Sequence, residues 1–313
     1  MHAQAIVIEG AERLNVAELP LIGSGADDLI VDIRHSGIST GTEKLLWSSK
    51  MPPFPGMGYP LVPGYEAVGE VVDAGAETSF KPGQTVFVPG ASCYKGAKGL
   101  FGGASSRLVT KVDRVCRIDT AHGAEGALLA LAATAFHALD AEHARPPELI
   151  IGHGVLGRML ARLTVALGWP APTVWEIDEA RQAGGDGYQV IHPDDDTRRD
   201  YGSVYDVSGA QDILDTIMPR IAKGAEVTLA GFYIDPVSFA FPPAFMKEAR
   251  FRISAEWTPE DLRLTRNLIE AGRLSLEGLI THQRGFADAA QAYRTAFTDP
   301  ACLKMILNWE GSA

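Results

Sequence analysis

The chain has 313 residues, enough for two domains of ordinary size, and its 46% hydrophobic content with 33 glycines is the composition of a globular α/β protein. Its 28 basic and 39 acidic residues give a net charge of −11 with no cluster of Lys and Arg, which speaks against nucleic acid as a partner. Cysteine occurs only as Cys93, Cys116 and Cys302, with no CxxC pair, so neither a disulfide framework nor a four-cysteine zinc lobe is expected. Met1-His2-Ala3-Gln4 leads straight into a strand-like AIVIEG, and the longest apolar stretch, Gly126 to Leu139, is too short to span a bilayer. The chain therefore reads as cytoplasmic, without a signal peptide or transmembrane segment.

Up to Ser39 the text alternates short β runs with turns: AIVIEG, RLNVAEL, a loop at Gly23 to Ala26, and DLIVDIRHSGIS. This predicts a small, mostly antiparallel β domain. A short helix is expected over Gly41 to Trp47, then a Pro- and Gly-dense loop from Met51 to Gly64. Further β text follows from Tyr65 to Glu77, from Phe80 to Gly90 and in SRLVTKV.

The stretch from Glu148 to Asp178 has a different character. An apolar run (Leu149, Ile150, Ile151) enters the turn Gly152-His153-Gly154-Val155-Leu156-Gly157, which opens a helix from Val155 to Gly168. A second run (Thr173, Val174, Trp175) ends on Glu176, 24 positions beyond Gly152. This is the spacing of a dinucleotide-binding unit, with Gly152 for the tight turn, Gly154 for close approach to a pyrophosphate and Gly157 for helix packing. A carboxylate at Glu176 accepts from a ribose 2′-hydroxyl and repels a 2′-phosphate, so NAD is expected as cofactor; Asp178 is the reserve candidate for that contact. Strands are expected at 188–193, 203–209, 225–233 and 251–257, a helix at 211–222, and a reduced crossover in the charged segment between His192 and Ser203. A helix is expected from Thr258 to about Arg273.

SGISTGTE, PLVPGYEAVGEVVDAG and KPGQTVFVPG resemble the amino-terminal half of the medium-chain dehydrogenases/reductases, whose usual text is SGICGTD, PxxPGHExxGxVxxxG and xxGDxV. The likeness extends over the whole chain. It implies a Rossmann-type doubly wound parallel sheet at 126–273 plus a GroES-like, mostly antiparallel β catalytic domain made of 1–125 and 274–313, with a cleft between them. It also implies a helix over Gly126 to Ala138, with Thr134, Ser208 and Gly231 on the nicotinamide side of the cofactor, and a return to the β domain through LITHQRGF as strand, Ala287 to Phe297 as helix and LKMILNW as closing strand.

Zinc enzymes of this family hold a catalytic metal with Cys, His and Cys. By resemblance those positions fall here at Ser39 or Thr40, at Tyr65 and at Ala130, so all three ligands are missing and no metal is expected. The alcohol proton must then leave through other groups. The candidates are Tyr65, with Ser39, Thr40 and Thr42 on the neighbouring turn, and Glu66 to orient or accept from one of them. A structural turn whose tyrosine fills the vacated space is the competing reading. His35, His137 and His153 are read as local hydrogen-bonding residues.

Trp47, Phe54, Met57 and Tyr59 in the loop offer broad apolar contact to a large flat ligand, and Lys44 offers charge to an acidic substituent; packing of the β domain competes for the same residues. Within the family, SGISTGTEKLLWSSKMPPFPGMGYPLVPGYEAVGEVV and VPGASCYKGAKGLFGGASSRLV resemble the bacteriochlorophyll-pathway branch. That resemblance implies oxidation of a 1-hydroxyethyl group on a chlorin or bacteriochlorin macrocycle by NAD. A zinc-free reductase of activated double bonds and a non-catalytic NAD-binding protein remain the alternatives. The edge-like FRISAEW strand makes a homodimer a candidate assembly.

Overall fold

The computed structural model describes residues 1–140 and 144–310. The chain divides into two units, residues 1–130 with 276–313 and residues 131–275. No helix among the described residues is long and apolar enough to cross a membrane.

The first unit opens with β1 (His2–Gly10), β2 (Arg13–Pro20) and the long β3 (Asp28–Ile38), then α1 (Thr42–Trp47). The turn entering α1 is fixed by Ser39 Oγ, which accepts from Thr42 N–H at 3.3 Å, and by Glu43 Oε1, which accepts from Ser39 N–H at 3.0 Å. After it come β4 (Leu61–Val62), β5 (Ala67–Ala74), β6 (Thr85–Val88), β7 (Lys98–Gly99), β8 (Arg107–Lys111) and β9 (Cys116–Arg117). The helix expected from Gly126 begins later, as α2 (Leu129–Leu139). Residues 120–128 form 3-10 turns in which Gly123 takes a left-handed φ of 49°.

The second unit carries β10 (Leu149–Ile151), α3 (Val155–Ala166), β11 (Thr173–Trp175), α4 (Glu179–Gln182), β12 (Gln189–Ile191), β13 (Tyr201–Asp206), α5 (Ile213–Ile217), β14 (Ile221–Leu229), α6 (Phe241–Lys247), β15 (Arg250–Ile253) and α7 (Pro259–Glu270). Its six strands are all parallel, in the order β12-β11-β10-β13-β14-β15. Strand order reverses beside β10, and ligands of open α/β sheets bind beyond the carboxyl ends of the strands at such a switch. Between β12 and β13 one 3-10 turn (Pro193–Asp195) stands where a crossover helix would run. Asp196 closes this short path by accepting from Trp175 Nε1 and Tyr201 OH, both at 2.7 Å.

One sequence expectation fails locally, and one helix was not anticipated. The helix expected over 211–222 stops at Ile217, because Pro219 has no N–H to continue it, and Ile221 already pairs as β14. α6 is hidden in the sequence by Pro242 and Pro243, which a first helical turn tolerates.

The chain returns to the first unit through β16 (His282–Gly285), α8 (Ala289–Thr298) and β17 (Met305–Asn308). One sheet there runs β2-β1-β4-β7; the other runs β16-β17-β3-β5-β6-β9, with β8 also on β3. The core includes Ile6, Leu29, Val31, Leu108, Tyr293 and Trp309. Thus β17, the last strand, lies antiparallel against β3, the strand that delivers Ser39.

Candidate active site

β10 runs into Gly152, whose φ of 99° lies in the left-handed region that favours glycine. A Cβ added at Gly157 would fall 1.9 Å from the Gly152 carbonyl oxygen, so α3 reaches the turn only because that residue has no side chain. At Gly154 an added Cβ would meet nothing within 4 Å. The protein's own packing therefore leaves that face open, beside the first turn of α3, where Val155 and Leu156 begin the helix and no side chain caps it. An open glycine face at a helix amino terminus fits a pyrophosphate.

Glu176 is buried at the carboxyl end of β11. Its Oε2 accepts from His153 N–H at 2.9 Å and its Oε1 from Asp178 N–H at 3.0 Å, which fixes the carboxylate while leaving further lone pairs. Ser208 follows β13 and donates from its hydroxyl to Asp206 Oδ1 at 2.6 Å; Gly231 N–H donates to Asp206 O at 3.0 Å. A Cβ at Gly152 would come within 3.3 Å of Ser208, and one at Gly231 within 3.2 Å of Gly209. The turns after β10, β13 and β14 therefore converge, while Thr134 lies on α2.

In the first unit, Ser39 Oγ and Tyr65 OH lie 2.7 Å apart. Of the two residues the resemblance leaves open, Ser39 is buried against Tyr65 and Thr40 is exposed. Burial first, and then the negative charge of Glu66, pushes the Tyr65 phenol up from its ordinary value; hydrogen bonds with Ser39 and Thr42 act the other way. Beneath the GYE turn, Glu66 is fully buried and both its oxygens bind Lys304 Nζ, at 2.7 and 2.8 Å. Lys304 also donates to Ile38 O at 3.2 Å. A Cβ at Gly37 would fall 2.0 Å from Glu66 Oε2, so the carboxylate lies where a side chain from β3 would project. Glu43 is buried as well, with Tyr293 OH donating to Oε2 at 2.5 Å, and burial pushes its carboxyl up to about 7.

This donor set does not fit a catalytic zinc. Residues 39, 65 and 130 present a hydroxyl, a phenol and a methyl group, and the nearby carboxylate of Glu66 is taken by an ammonium. Among the described residues no group of three or more His, Cys, Asp and Glu is placed to share a metal ion.

The loop residues divide. Met57 and Tyr59 pack on a cluster of Ile8, Leu46, Met51, Leu61 and Leu100, and Tyr59 OH donates to Leu46 O at 2.5 Å. Trp47 meets the Phe297 ring at 5.4 Å, and Lys44 Nζ donates to the Phe297 carbonyl at 3.1 Å. Phe54 is exposed. The three histidines make local contacts: His35 with Asn308, His137 with Asp261, and His153 with Arg181 O and Tyr188 OH. Sequence reasoning passed over Phe101, whose ring meets Tyr65 edge-on at 5.3 Å, and over Lys304, Glu43 and Tyr293. A lysine inside the apolar run of LKMILNW was the one available signal for the buried pair.

Residues 25–120 match the family model described as the alcohol dehydrogenase GroES-like domain. The chain is 59% identical to the 2-desacetyl-2-hydroxyethyl bacteriochlorophyllide A dehydrogenase of Rhodobacter capsulatus, covering 99% of both chains. It is 56% identical to the enzyme of the same name from Cereibacter sphaeroides over the full length of both. Among solved structures, acetophenone reductase from Geotrichum candidum in complex with NAD shares the fold at a TM-score of 0.82 and 19% identity, with 98% of this chain and 97% of that one covered. Other solved chains of this fold carry NADH or NADP. The glycine turn fits such a nicotinamide dinucleotide. The chain belongs to the 2-desacetyl-2-hydroxyethyl bacteriochlorophyllide A dehydrogenase family, within the medium-chain dehydrogenases/reductases.

Proposed function

We propose that the chain oxidises the 3-(1-hydroxyethyl) group of a bacteriochlorophyllide or chlorophyllide to 3-acetyl in the cytoplasm, a step in bacteriochlorophyll a biosynthesis, passing hydride to NAD without a metal. Full-length identity of 59% and 56% to two enzymes named for that pigment carries the reading. A secondary alcohol and NAD⁺ give a ketone, NADH and one proton, so the protein must hold the alcohol, align it and remove the proton. When bound, the nicotinamide ring supplies the hydride acceptor. Gly152, Gly154, Val155, Leu156 and Gly157 hold the pyrophosphate, Thr134, Ser208 and Gly231 flank the nicotinamide, and Glu176 accepts from the ribose 2′-hydroxyl. The repulsion between Glu176 and a 2′-phosphate supports NAD over NADP.

For the proton, the raised Tyr65 phenol is neutral at working pH and does not wait as a base. It gives its own proton to Ser39 Oγ, 2.7 Å away, as it takes the alcohol's, and Ser39 passes its proton through the half-exposed Thr42 hydroxyl to water, so that one proton reaches solvent for each hydride transferred. Glu66 orients Tyr65 from the buried side, and Thr40 is too exposed for a first role. Phe54, Met57, Tyr59, Trp47 and Phe101 supply apolar contact to the macrocycle. Lys44 reaches an acidic substituent only by leaving Phe297 O.

Mixed with NAD and a 3-(1-hydroxyethyl) bacteriochlorophyllide, the protein should form NADH in step with a red shift of the pigment's long-wavelength band, with NADP a poorer acceptor. Tyr65→Phe and Ser39→Ala should each lower kcat about 10²- to 10⁴-fold. Unchanged turnover in both would contradict the relay.

Glu43 gives the site a stability signature. Its folded value of about 7 stands above the ordinary 4.5, so the folded state binds the proton more tightly. Its contribution is fully present below about pH 4.5 and is lost as pH rises through 7, a change on the order of 3 kcal/mol. Glu43→Gln keeps an acceptor for Ser39 N–H and a partner for Tyr293. Its melting temperature should gain on that of the wild type between pH 5 and pH 8; a difference independent of pH would show that Glu43 does not titrate in this range.

The assembly we propose is a homodimer through β15. This edge strand has one paired side, and Phe241, Phe245, Met246, Phe251 and Ile253 are exposed on or beside it. Light scattering should give twice 33.5 kDa for the wild type and 33.5 kDa for Phe245→Glu/Ile253→Glu. A wild-type monomer would refute this.

A further inference from the structure

Arg158 lies on the buried face of α3 and is only 6% exposed, where the helical period calls for an apolar side chain. Its guanidinium is held by four backbone carbonyls. Nε donates to His153 O at 3.0 Å, Nη2 to Arg181 O at 3.0 Å and Ala183 O at 2.8 Å, and Nη1 to Gly184 O at 3.4 Å. Gly184 has a left-handed φ of 84°, and a Cβ added there would also fall 2.4 Å from Nη1, so the loop passes close against the cation. The His153 ring braces the same loop. Burial pushes its pKa down to about 4, so it is neutral, donates from Nδ1 to Arg181 O at 2.6 Å and accepts at Nε2 from Tyr188 OH at 2.9 Å.

The two segments that Arg158 grips are the two that orient Glu176. His153, whose carbonyl takes Nε, gives its N–H to Glu176 Oε2; Asp178, whose carbonyl accepts from Arg181 N–H at 2.9 Å, gives its N–H to Oε1. A planar five-donor fork can bind four diverging carbonyls at once, which an ammonium on a flexible stem cannot reproduce.

We propose that Arg158 is a positioning residue for the cofactor: by pinning residue 153 and residues 181–184 it sets the Glu176 carboxylate for the adenosine ribose diol, and thereby the preference for a free 2′-hydroxyl. This rests on the contact between Glu176 and the ribose assigned above.

The test is a chemical double-mutant cycle read by nucleotide binding, independent of pigment turnover. NAD and its 2′-deoxyadenosine analogue are titrated against wild type, Arg158→Lys, Arg158→Met and Gly184→Ala, the last crowding the guanidinium and straining the exposed loop's left-handed turn without removing the cation. The wild type should lose about 10-fold or more in affinity when the 2′-hydroxyl is removed, as expected for a hydrogen bond to a charged group. The variants should bind NAD more weakly and lose less than about 3-fold further on the deoxy analogue. If the folded variants, Gly184→Ala among them, pay the full wild-type factor, Arg158 does not act through the ribose and the proposal fails. If the wild type itself fails to distinguish the two nucleotides, the Glu176 contact is wrong and the proposal falls with it.

Discussion

An ammonium buried without water must find its partners inside the protein, and Lys304 finds three: both oxygens of Glu66 and the carbonyl of Ile38. The pair ties β17 to the end of β3 and to the GYE turn, three pieces far apart in sequence. It leaves Gly37 no room for a side chain. With those pieces fixed, Tyr65 meets Ser39, and Ser39 in turn holds the turn entering the helix that carries Glu43. Removing either charge would strand the other, at a cost of about 3–5 kcal/mol, whereas the intact pair contributes little net stability. Its value lies in where it holds the hydroxyl groups.

The same logic appears in the second unit. There the cation is Arg158, its partners are carbonyls rather than a carboxylate, and what it holds in place is Glu176. Each unit thus contains a buried cation whose hydrogen bonds fix the turn around a group proposed to meet a ligand. The Tyr65 phenol and the Glu43 carboxyl both stay protonated more readily than in water, so the hydroxyl cluster can take up and release a proton without holding several bare charges.

Much of this was legible in the text. The glycine turn, its flanking strands and Glu176 follow local rules of spacing, and the structure keeps them within a residue or two. The short strands of the first unit are marked by Gly and Pro turns. Helix ends were less legible where proline acts in both senses: Pro219 ends α5, while Pro242 and Pro243 begin α6. The buried pairs were hidden for another reason. Lys304 is 238 positions from Glu66 and Tyr293 is 250 from Glu43, and no local pattern reports a contact made only when the carboxyl-terminal segment returns. The vacated metal positions could be read from resemblance; that a lysine engages the remaining carboxylate could not.

In the proposed mechanism, hydroxyl groups beside a buried ion pair do the work that a metal does in zinc-dependent members of the superfamily. The most direct measurement is the metal content of the purified protein together with its turnover of the hydroxyethyl pigment, before and after treatment with a chelator. The account predicts well under one bound metal per chain and a rate unchanged by chelation. One tightly bound zinc per chain, with activity lost on its removal and restored on its return, would contradict it.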